Sequence, residues 1–286
     1  MIYKKILFFA KKAVLNSFRL MHQLAQLQKI DNLECIGECY ATTRFKLLPK
    51  IRNYFSYSNG VSVRGISFDN IDRDVFGGAL ERSVMSDEFS VNTFSKILKS
   101  RYDYEKGISA GDILELESSH ILHNYPAWCI VLPWEKSDID IIYQQYPSDL
   151  LQNRKGNFLE FTSGNREYVL DRVYSYEAAE SQAYQTKKLF ESISTNGIIN
   201  SDSLPKVVIL RKGGKWKWMM GGQGNHRAYL FKLLGYRYLY AEINQFVDVS
   251  NVESWFNVKN GLYTRSEAEN IFNKVMDSQI VVRGII

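Results

Sequence analysis

The sequence contains few of the residues that interrupt or cross-link a chain, and its apolar runs are short. It has five prolines and three cysteines in 286 residues. An odd number of cysteines, in a chain long enough to bury its own core, favours a reducing compartment over a disulfide scaffold. With 45% hydrophobic and 23% charged residues, the composition excludes a disordered or fibrous protein. We therefore predict a globular cytoplasmic protein with one large domain or two modest ones.

A recognised metal motif is also missing. Cys35 and Cys39 form a Cys-x3-Cys pair, and His120 and His123 form a distant His-x2-His pair. Structural zinc sites have other ligand spacings, so we predict no zinc site at these residues. Buried thiols and surface histidines account for these four residues more simply.

Acidic residues are absent from residues 1–30, which hold six of the 36 basic residues. The rest of the chain is close to neutral, whereas nucleic-acid binding requires a broader basic surface, so we do not expect a nucleic-acid partner. Residues 1–30 contain no Gly or Pro and have apolar residues at helical spacing, which predicts a basic amphipathic helix. The longest apolar run in this helix, Ile6 to Ala10, is far shorter than the ~20 residues that cross a bilayer.

Two interpretations of this helix remain open. Residues 1–29 would lie on the anionic inner face of a membrane, which would make the protein peripheral there. Alternatively, the helix packs on its own domain and its lysines are simply solvated.

Residues 31–150 predict a mixed α/β region. The stretch 57–68, YSNGVSVRGISF, is typical of a hairpin, and 91–107 predicts a helix that ends near Gly107. The apolar run from Ala127 to Leu132 predicts a buried strand.

Three features of this region have alternative interpretations. Gly77 and Gly78 precede a helical pattern and would either bind an anion or form a simple turn. Trp134, beside Glu135, would either line a cleft or fill the space between two layers. Ser137 or Asp138 would cap a short helix.

Residues 151–247 predict an α/β unit, and residues 248–286 a helical extension. After a strand at 168–174, a helix at 177–196 ends at Gly197. The run KVVILRKGGKWKWMM then predicts a hairpin turning at Lys212–Lys215. The glycine turn Gly221–Gly224 leads into a helix at 227–234 and a last strand at 238–243.

The stretch GGQGNHRAYLFKLLG carries the most chemical information. A strand that ends in glycines and turns directly into a helix leaves backbone N–H groups at the positive end of the helix dipole, where phosphate binds. Gly222 and Gly224 allow close backbone approach, and His226 and Arg227 add a donor and a forked cation. The alternative is a tight turn whose His226 and Arg227 pair locally.

This stretch, together with the preceding TKKLFESISTNGIINSDSLPKVVIL, resembles the ParB/sulfiredoxin superfamily over roughly residues 168–247. Members share a strand, a glycine turn with a His/Arg pair, a helix ending in Leu-Gly and a further strand. The resemblance implies an α/β (α+β) fold with a C-terminal nucleotide-binding module.

The branches of that superfamily differ in chemistry. Sulfiredoxin has a catalytic cysteine where this chain has Asn225, so we do not expect sulfinic-acid reduction. The chromosome-partition branch binds CTP at this turn and continues into a DNA-reading domain, for which the roughly 40 residues after Ile243 are too few. The turn of the small-molecule kinase branch reads Asp-Gly-His-His-Arg, of which Gly224, His226 and Arg227 are retained, while Gln223 replaces the Asp.

We therefore predict a nucleotide-dependent kinase that phosphorylates a hydroxyl of a small molecule or glycan precursor, with ATP or ADP (or CTP) and Mg²⁺. The phosphate-binding residues would be Gly222, Gly224, Asn225, His226 and Arg227. The catalytic residues would be Glu177 or Glu180 as general base, together with His226. The alternatives are a non-catalytic nucleotide-binding or DNA-associated ParB-like protein and a membrane-surface scaffold.

Overall fold

The computed structural model describes residues 52–62, 65–85, 88–143, 175–197 and 204–279. The predicted N-terminal helix, Cys35, Cys39 and the predicted strand at 168–174 lie outside these ranges. The strands are β1 (Arg52–Ser56), β2 (Gly60–Val61), β3 (Val84–Met85), β4 (Glu88–Phe89), β5 (Lys206–Lys212), β6 (Lys215–Met220) and β7 (Tyr238–Asp248). The α-helices are α1 (Val75–Ser83), α2 (Val91–Glu105), α3 (Ala110–Leu114), α4 (Tyr176–Asn196), α5 (Asn225–Leu233), α6 (Phe256–Lys259) and α7 (Arg265–Met276).

Local capping sets where several helices begin. The Asp74 side chain caps α1, Ser109 caps α3, Ser175 caps α4 and Thr264 caps α7. Each accepts a hydrogen bond from a backbone N–H of the first turn, which no carbonyl within the helix can satisfy. The predicted helices at 91–107 and 177–196 are confirmed, as is Gly197 as the C-terminal cap of α4.

A mixed sheet of five strands, in the order β1-β7-β5-β6-β2, forms the centre of the fold. β1 is antiparallel to β7, β7 is parallel to β5, β5 is antiparallel to β6, and β6 is parallel to β2. The predicted hairpin of β5 and β6 is confirmed, with Lys212 paired to Lys215 across the turn. The mixed α/β fold class is therefore confirmed.

Side chains that alternate along β5 divide the core between the two faces of the sheet. Val207 and Ile209 pack on the face covered by α1, α2, α4 and α5. Val208 and Leu210 pack on the opposite face, against α7 and the segment around Trp134. The sheet is thus the middle of three layers, as expected when both faces are apolar.

An irregularity in β7 lets one strand serve both layers. Val207 pairs with Ile243 but Val208 pairs with Gln245, so β7 carries an extra residue at Asn244. A bulge of this kind shifts the alternation of side chains by one. Ile243 accordingly packs in the α5 layer and Val247 in the α7 layer.

The sheet takes strands from both sides of the predicted boundary at residue 150. β1 and β2 precede that boundary, whereas β5, β6 and β7 follow it. α7, in the predicted C-terminal extension, supplies much of the second core layer. None of the helices within the described residues is both long and apolar enough to cross a membrane.

One prediction for the N-terminal region is confirmed in part and another is wrong. The hairpin expected at 57–68 is reduced to a single antiparallel bridge between Val61 and Ser67, and its first arm, β2, pairs along its length with β6. The buried strand expected from Ala127 to Leu132 is a 3-10 turn followed by extended chain. Ala127, Cys129, Val131 and Leu132 are buried, which satisfies the same apolar pattern without strand pairing.

The alternatives at Trp134 and Asp138 are resolved. Trp134 is 1% exposed and lies edge-on to Trp255 and Phe272, so it fills a layer and does not line a cleft. The Asp138 side chain accepts hydrogen bonds from the N–H groups of Asp140 and Ile141, and residues 139–143 are helical.

Candidate functional site

The turn between β6 and α5 is pinned to the start of β5. The N–H of Gly221 donates to the carbonyl of Lys206 at 2.8 Å, and the N–H of Lys206 donates to the carbonyl of Gln223 at 3.0 Å. Helix α5 then begins at Asn225. The strand-turn-helix order that the sequence predicted is present, and two backbone bonds fix the path of the turn.

Two glycines make this path possible. Gly222 and Gly224 have φ values of 87° and 84°, a region that side chains other than glycine rarely adopt. A Cβ on Gly224 would also lie 2.6 Å from the Cα of Pro205, which no side chain tolerates. A Cβ on Gly222 would meet nothing within 4 Å, so the turn is open on that side.

Unpaired donors accumulate at this helix terminus. Among the described residues, no acceptor takes the backbone N–H groups of Gly222, Gln223, Gly224, Asn225 or His226. Gly224, at the N-cap position, has no side chain with which to satisfy them. These donors lie at the positive end of the α5 dipole, so the turn has the chemistry of an anion site.

Asn225 adds an unsatisfied group to the same turn. Its Oδ1 is buried and has no hydrogen-bond partner in the part of the chain that the structure describes. Buried side-chain polar atoms in proteins are usually paired, so an unpaired one marks a place where a bound molecule or water completes the network.

His226 is packed against the protein, in the second position of α5. Its ring stacks on Phe76 of α1, with centroids 4.3 Å apart and the planes inclined by 10°. Its Nε2 lies 3.4 Å from the side-chain amide nitrogen of Gln182 in α4. Burial lowers the pKa of His226 to about 4, so the imidazole is neutral at physiological pH.

This geometry excludes a role for His226 as a positively charged phosphate ligand. A neutral imidazole held between Phe76 and Gln182 gives a phosphate no positive charge. It can only donate or accept a hydrogen bond, and its stacking also fixes the start of α5 against α1. Arg227, the following residue, is partly buried in the same helical turn.

The other glycine pair, Gly77 and Gly78, is not an anion site. Both residues are buried within the first turn of α1. The Asp74 carboxylate already accepts from the N–H groups of Phe76 and Gly77, at 3.0 and 3.2 Å. A negative side chain therefore occupies the position that an external anion would take.

The two predicted bases do not face the turn. Gln182 is the α4 residue that contacts His226, and at 3.6 residues per turn Glu180 and Glu177 lie about 160° and about 140° away from it around the helix. Glu177 is exposed, and hydrogen bonds from its own N–H and from the Ser175 hydroxyl lower its pKa. Its described contacts are those of a carboxylate at a helix N-terminus.

Two residues that contact the site were missed from the sequence. Phe76 lies about 150 residues before the turn and Gln182 about 45 before it, and neither belongs to a motif. The helical pattern was predicted only after Gly77 and Gly78, whereas α1 already begins at Val75 and includes both glycines, and nothing local indicates that this helix lies against α5. Only the shared core layer brings Phe76 to His226.

Metal ligands do not converge in the described parts of the chain. No group of three or more His, Cys, Asp or Glu side chains is placed to hold an ion there. His120 and His123 are engaged in hydrogen bonds with the carbonyls of Leu262 and Leu116. Mg²⁺ would have to enter with the phosphates of a nucleotide, as it commonly does.

Comparison of the chain with family models, with curated proteins and with solved structures found no match. The resemblance of the glycine turn to the ParB/sulfiredoxin superfamily therefore remains a prediction from a short motif.

Proposed function

We propose that this protein binds the phosphates of a nucleoside di- or triphosphate at the turn Gly221–Arg227. The observation that supports this most directly is the run of unpaired N–H groups from Gly222 to His226, at a helix terminus that has no side-chain cap. By contrast, α1, α3, α4 and α7 begin with capping side chains that fill the equivalent position.

The turn can supply a large part of the binding free energy. A hydrogen bond between an N–H and a charged phosphate oxygen contributes roughly 1.5–3 kcal/mol. Three of them contribute roughly 4.5–9 kcal/mol before the cost of immobilising the ligand, so a micromolar Kd, which corresponds to ~8 kcal/mol, also requires contacts to the ribose or base. The neutral state of His226 is consistent with this picture, because a positive imidazolium would be unfavourable beside a helix N-terminus.

We further propose, as a separate step, that the bound nucleotide donates a phosphoryl group to a hydroxyl of a small molecule or glycan precursor, with Mg²⁺. This step is supported by the resemblance of Gly224, His226 and Arg227 to the kinase branch of the superfamily. The side on which Glu177 and Glu180 lie offers no support, so the general base is the part of the proposal that most needs a test.

Isothermal titration with ATP, ADP and CTP tests the binding step. We expect micromolar binding of at least one nucleotide by the wild type and weaker binding by Gly222→Ala. Gly235→Ala is the matched control, since Gly235 has φ 83°, no atom within 4 Å of an added Cβ, and a position at the opposite end of α5. No binding of any nucleotide, or equal loss in both variants, would overturn the proposal.

Product analysis tests the transfer step. ATP or ADP is incubated with Mg²⁺ and a pool of hydroxyl compounds, and phosphorylated products are sought by mass spectrometry. A product lost in Glu177→Gln or Glu180→Gln would identify the base. Nucleotide binding without product would leave a non-catalytic nucleotide-binding module.

A further inference from the structure

The two ring nitrogens of His226 have different surroundings. The imidazole stacks on Phe76 of α1, which covers one face of the ring. Its Nε2 lies 3.4 Å from the side-chain amide nitrogen of Gln182 in α4. Within the described residues, Nδ1 has no hydrogen-bond partner. The unpartnered side-chain atoms that the protein buries do not include Nδ1, so this nitrogen reaches solvent.

The contact with Gln182 determines which ring nitrogen carries the proton. An amide nitrogen donates hydrogen bonds and does not accept them, so Nε2 of His226 accepts from Gln182. A neutral imidazole has one N–H, and burial keeps this ring neutral by lowering its pKa to about 4. The proton is therefore on Nδ1, and Nδ1–H is a donor that no described acceptor takes.

This donor adjoins the run of unpaired backbone N–H groups from Gly222 to His226. Nδ1 is joined to the backbone nitrogen of the same residue through Cα, Cβ and Cγ alone, so the two donors remain close together. An oxyanion held by the backbone at this helix terminus can accept from both of them.

A second side chain at the turn is incomplete without a bound molecule. Oδ1 of Asn225, the residue before His226, is buried and has no hydrogen-bond partner in the described parts of the chain. Most buried acceptors are satisfied by protein, by water or by a ligand. Asn225 and His226 thus present an unsatisfied acceptor and an unsatisfied donor at one helix terminus, which indicates a ligand site and not a simple turn.

We propose that Gln182 is a positioning residue of the anion site: it holds His226 in the Nδ1–H tautomer, and Nδ1–H donates to an oxygen of the bound phosphate. This inference rests on the proposed function, because it takes the nucleotide phosphate as the ligand. The hydrogen bond at one nitrogen of a histidine sets the protonation of the other. The opposite tautomer would place a lone pair beside the phosphate oxygens, which would repel them.

Long-range ¹H–¹⁵N NMR of the unliganded protein, labelled with ¹⁵N-histidine, identifies the protonated nitrogen directly. We expect His226, assigned by the signals missing from His226→Phe, to carry its proton on Nδ1 at about pH 7. Gln182→Met keeps the length of the side chain but cannot donate, so the Nε2–H form should appear. Gln185→Met, at an exposed position of the same helix, should leave the tautomer unchanged. A wild type protonated on Nε2, or an unchanged tautomer in Gln182→Met, would overturn the proposal.

Titration with ATP, ADP and CTP connects the tautomer to binding. His226→Phe keeps an aromatic ring against Phe76 but has no donor, so Kd for the nucleotide that the wild type binds should rise about tenfold or more. His226→Asn places an amide N–H close to the position of Nδ1 and should recover most of the affinity. In Gln182→Met, Kd should rise in inverse proportion to the Nδ1–H population that NMR measures.

The failure of this inference is distinguishable from the failure of the proposed function. Nucleotide binding that is as tight in His226→Phe as in the wild type would overturn the donor role alone. No binding of any nucleotide by the wild type would overturn the proposed function and this role together.

Discussion

Replacing Asn225 by aspartate should weaken nucleotide binding and at the same time raise the thermal stability of the unliganded protein. The substitution preserves shape and adds one negative charge in the first turn of α5, where the N–H groups are unpaired. In the absence of ligand, a carboxylate at a helix N-terminus stabilises the fold by about 0.3–1 kcal/mol. For a protein of this size that is a rise in Tm of roughly 1–3 °C.

Binding should be lost in the same variant. A carboxylate about 5 Å from a phosphate charge, at an effective dielectric constant of about 20, raises the free energy of the complex by about 3 kcal/mol. Kd should therefore increase by about 100-fold or more. Thermal unfolding monitored by circular dichroism and nucleotide titration by calorimetry measure the two effects.

Asn92→Asp is the matched control. Asn92 is exposed in the first turn of α2, so the same charge change occurs at another helix N-terminus. It should leave the nucleotide Kd unchanged. If Asn225→Asp lowers Tm and leaves Kd unaltered, the turn is not an anion site and the reasoning fails.

Three further predictions concern stability. Gly224→Ala places a Cβ on a residue with positive φ, 2.6 Å from the Cα of Pro205, and should lower the free energy of unfolding by about 2–4 kcal/mol. Gly235→Ala should lower it by about 1 kcal/mol, and equal urea midpoints for the two variants would contradict this. Trp134→Ala should cost about 3–5 kcal/mol, and a loss under about 1 kcal/mol in urea unfolding would exclude a core role. The pKa of His226 is lowered to about 4, so its contribution to stability is complete above pH 6.5 and is lost as the pH falls towards 4. The pKa of Glu135 is raised by burial to about 7, so its contribution is complete below pH 4.5 and is lost as the pH rises through 7. These slopes oppose each other, so the two contributions nearly cancel in the wild type between about pH 4.5 and about pH 6.5. In Glu135→Gln only the contribution of His226 remains, so the variant should become more stable by about 2 kcal/mol over this range, and urea midpoints that follow the wild type would refute the assignment.

The candidate site itself was partly predictable. The glycine turn, the start of α5 and the donors at its N-terminus follow from the order of a β-pattern, glycines and a helical pattern within about fifteen residues. The neutral, buried state of His226 could not be predicted from the sequence, because it depends on stacking against Phe76, which belongs to a helix distant in sequence. The placement of Glu177 and Glu180 could have been anticipated in part, but only the contact of Gln182 with His226 shows which face of α4 meets the turn.

By itself, the sequence determined the features that are settled within a few residues. Helix starts are marked by Asp74, Ser175 and Thr264, because each side chain accepts a hydrogen bond from a backbone N–H two or three residues later. The β5–β6 hairpin is specified by the glycine pair after Lys212, because the two strands that pair are adjacent in sequence. Tertiary structure alone decided which strands flank β7, that the apolar run at 127–132 forms no strand, and that His226 and Glu135 have displaced pKa values. These outcomes depend on burial and on pairing partners that are distant along the chain, and no local pattern encodes either.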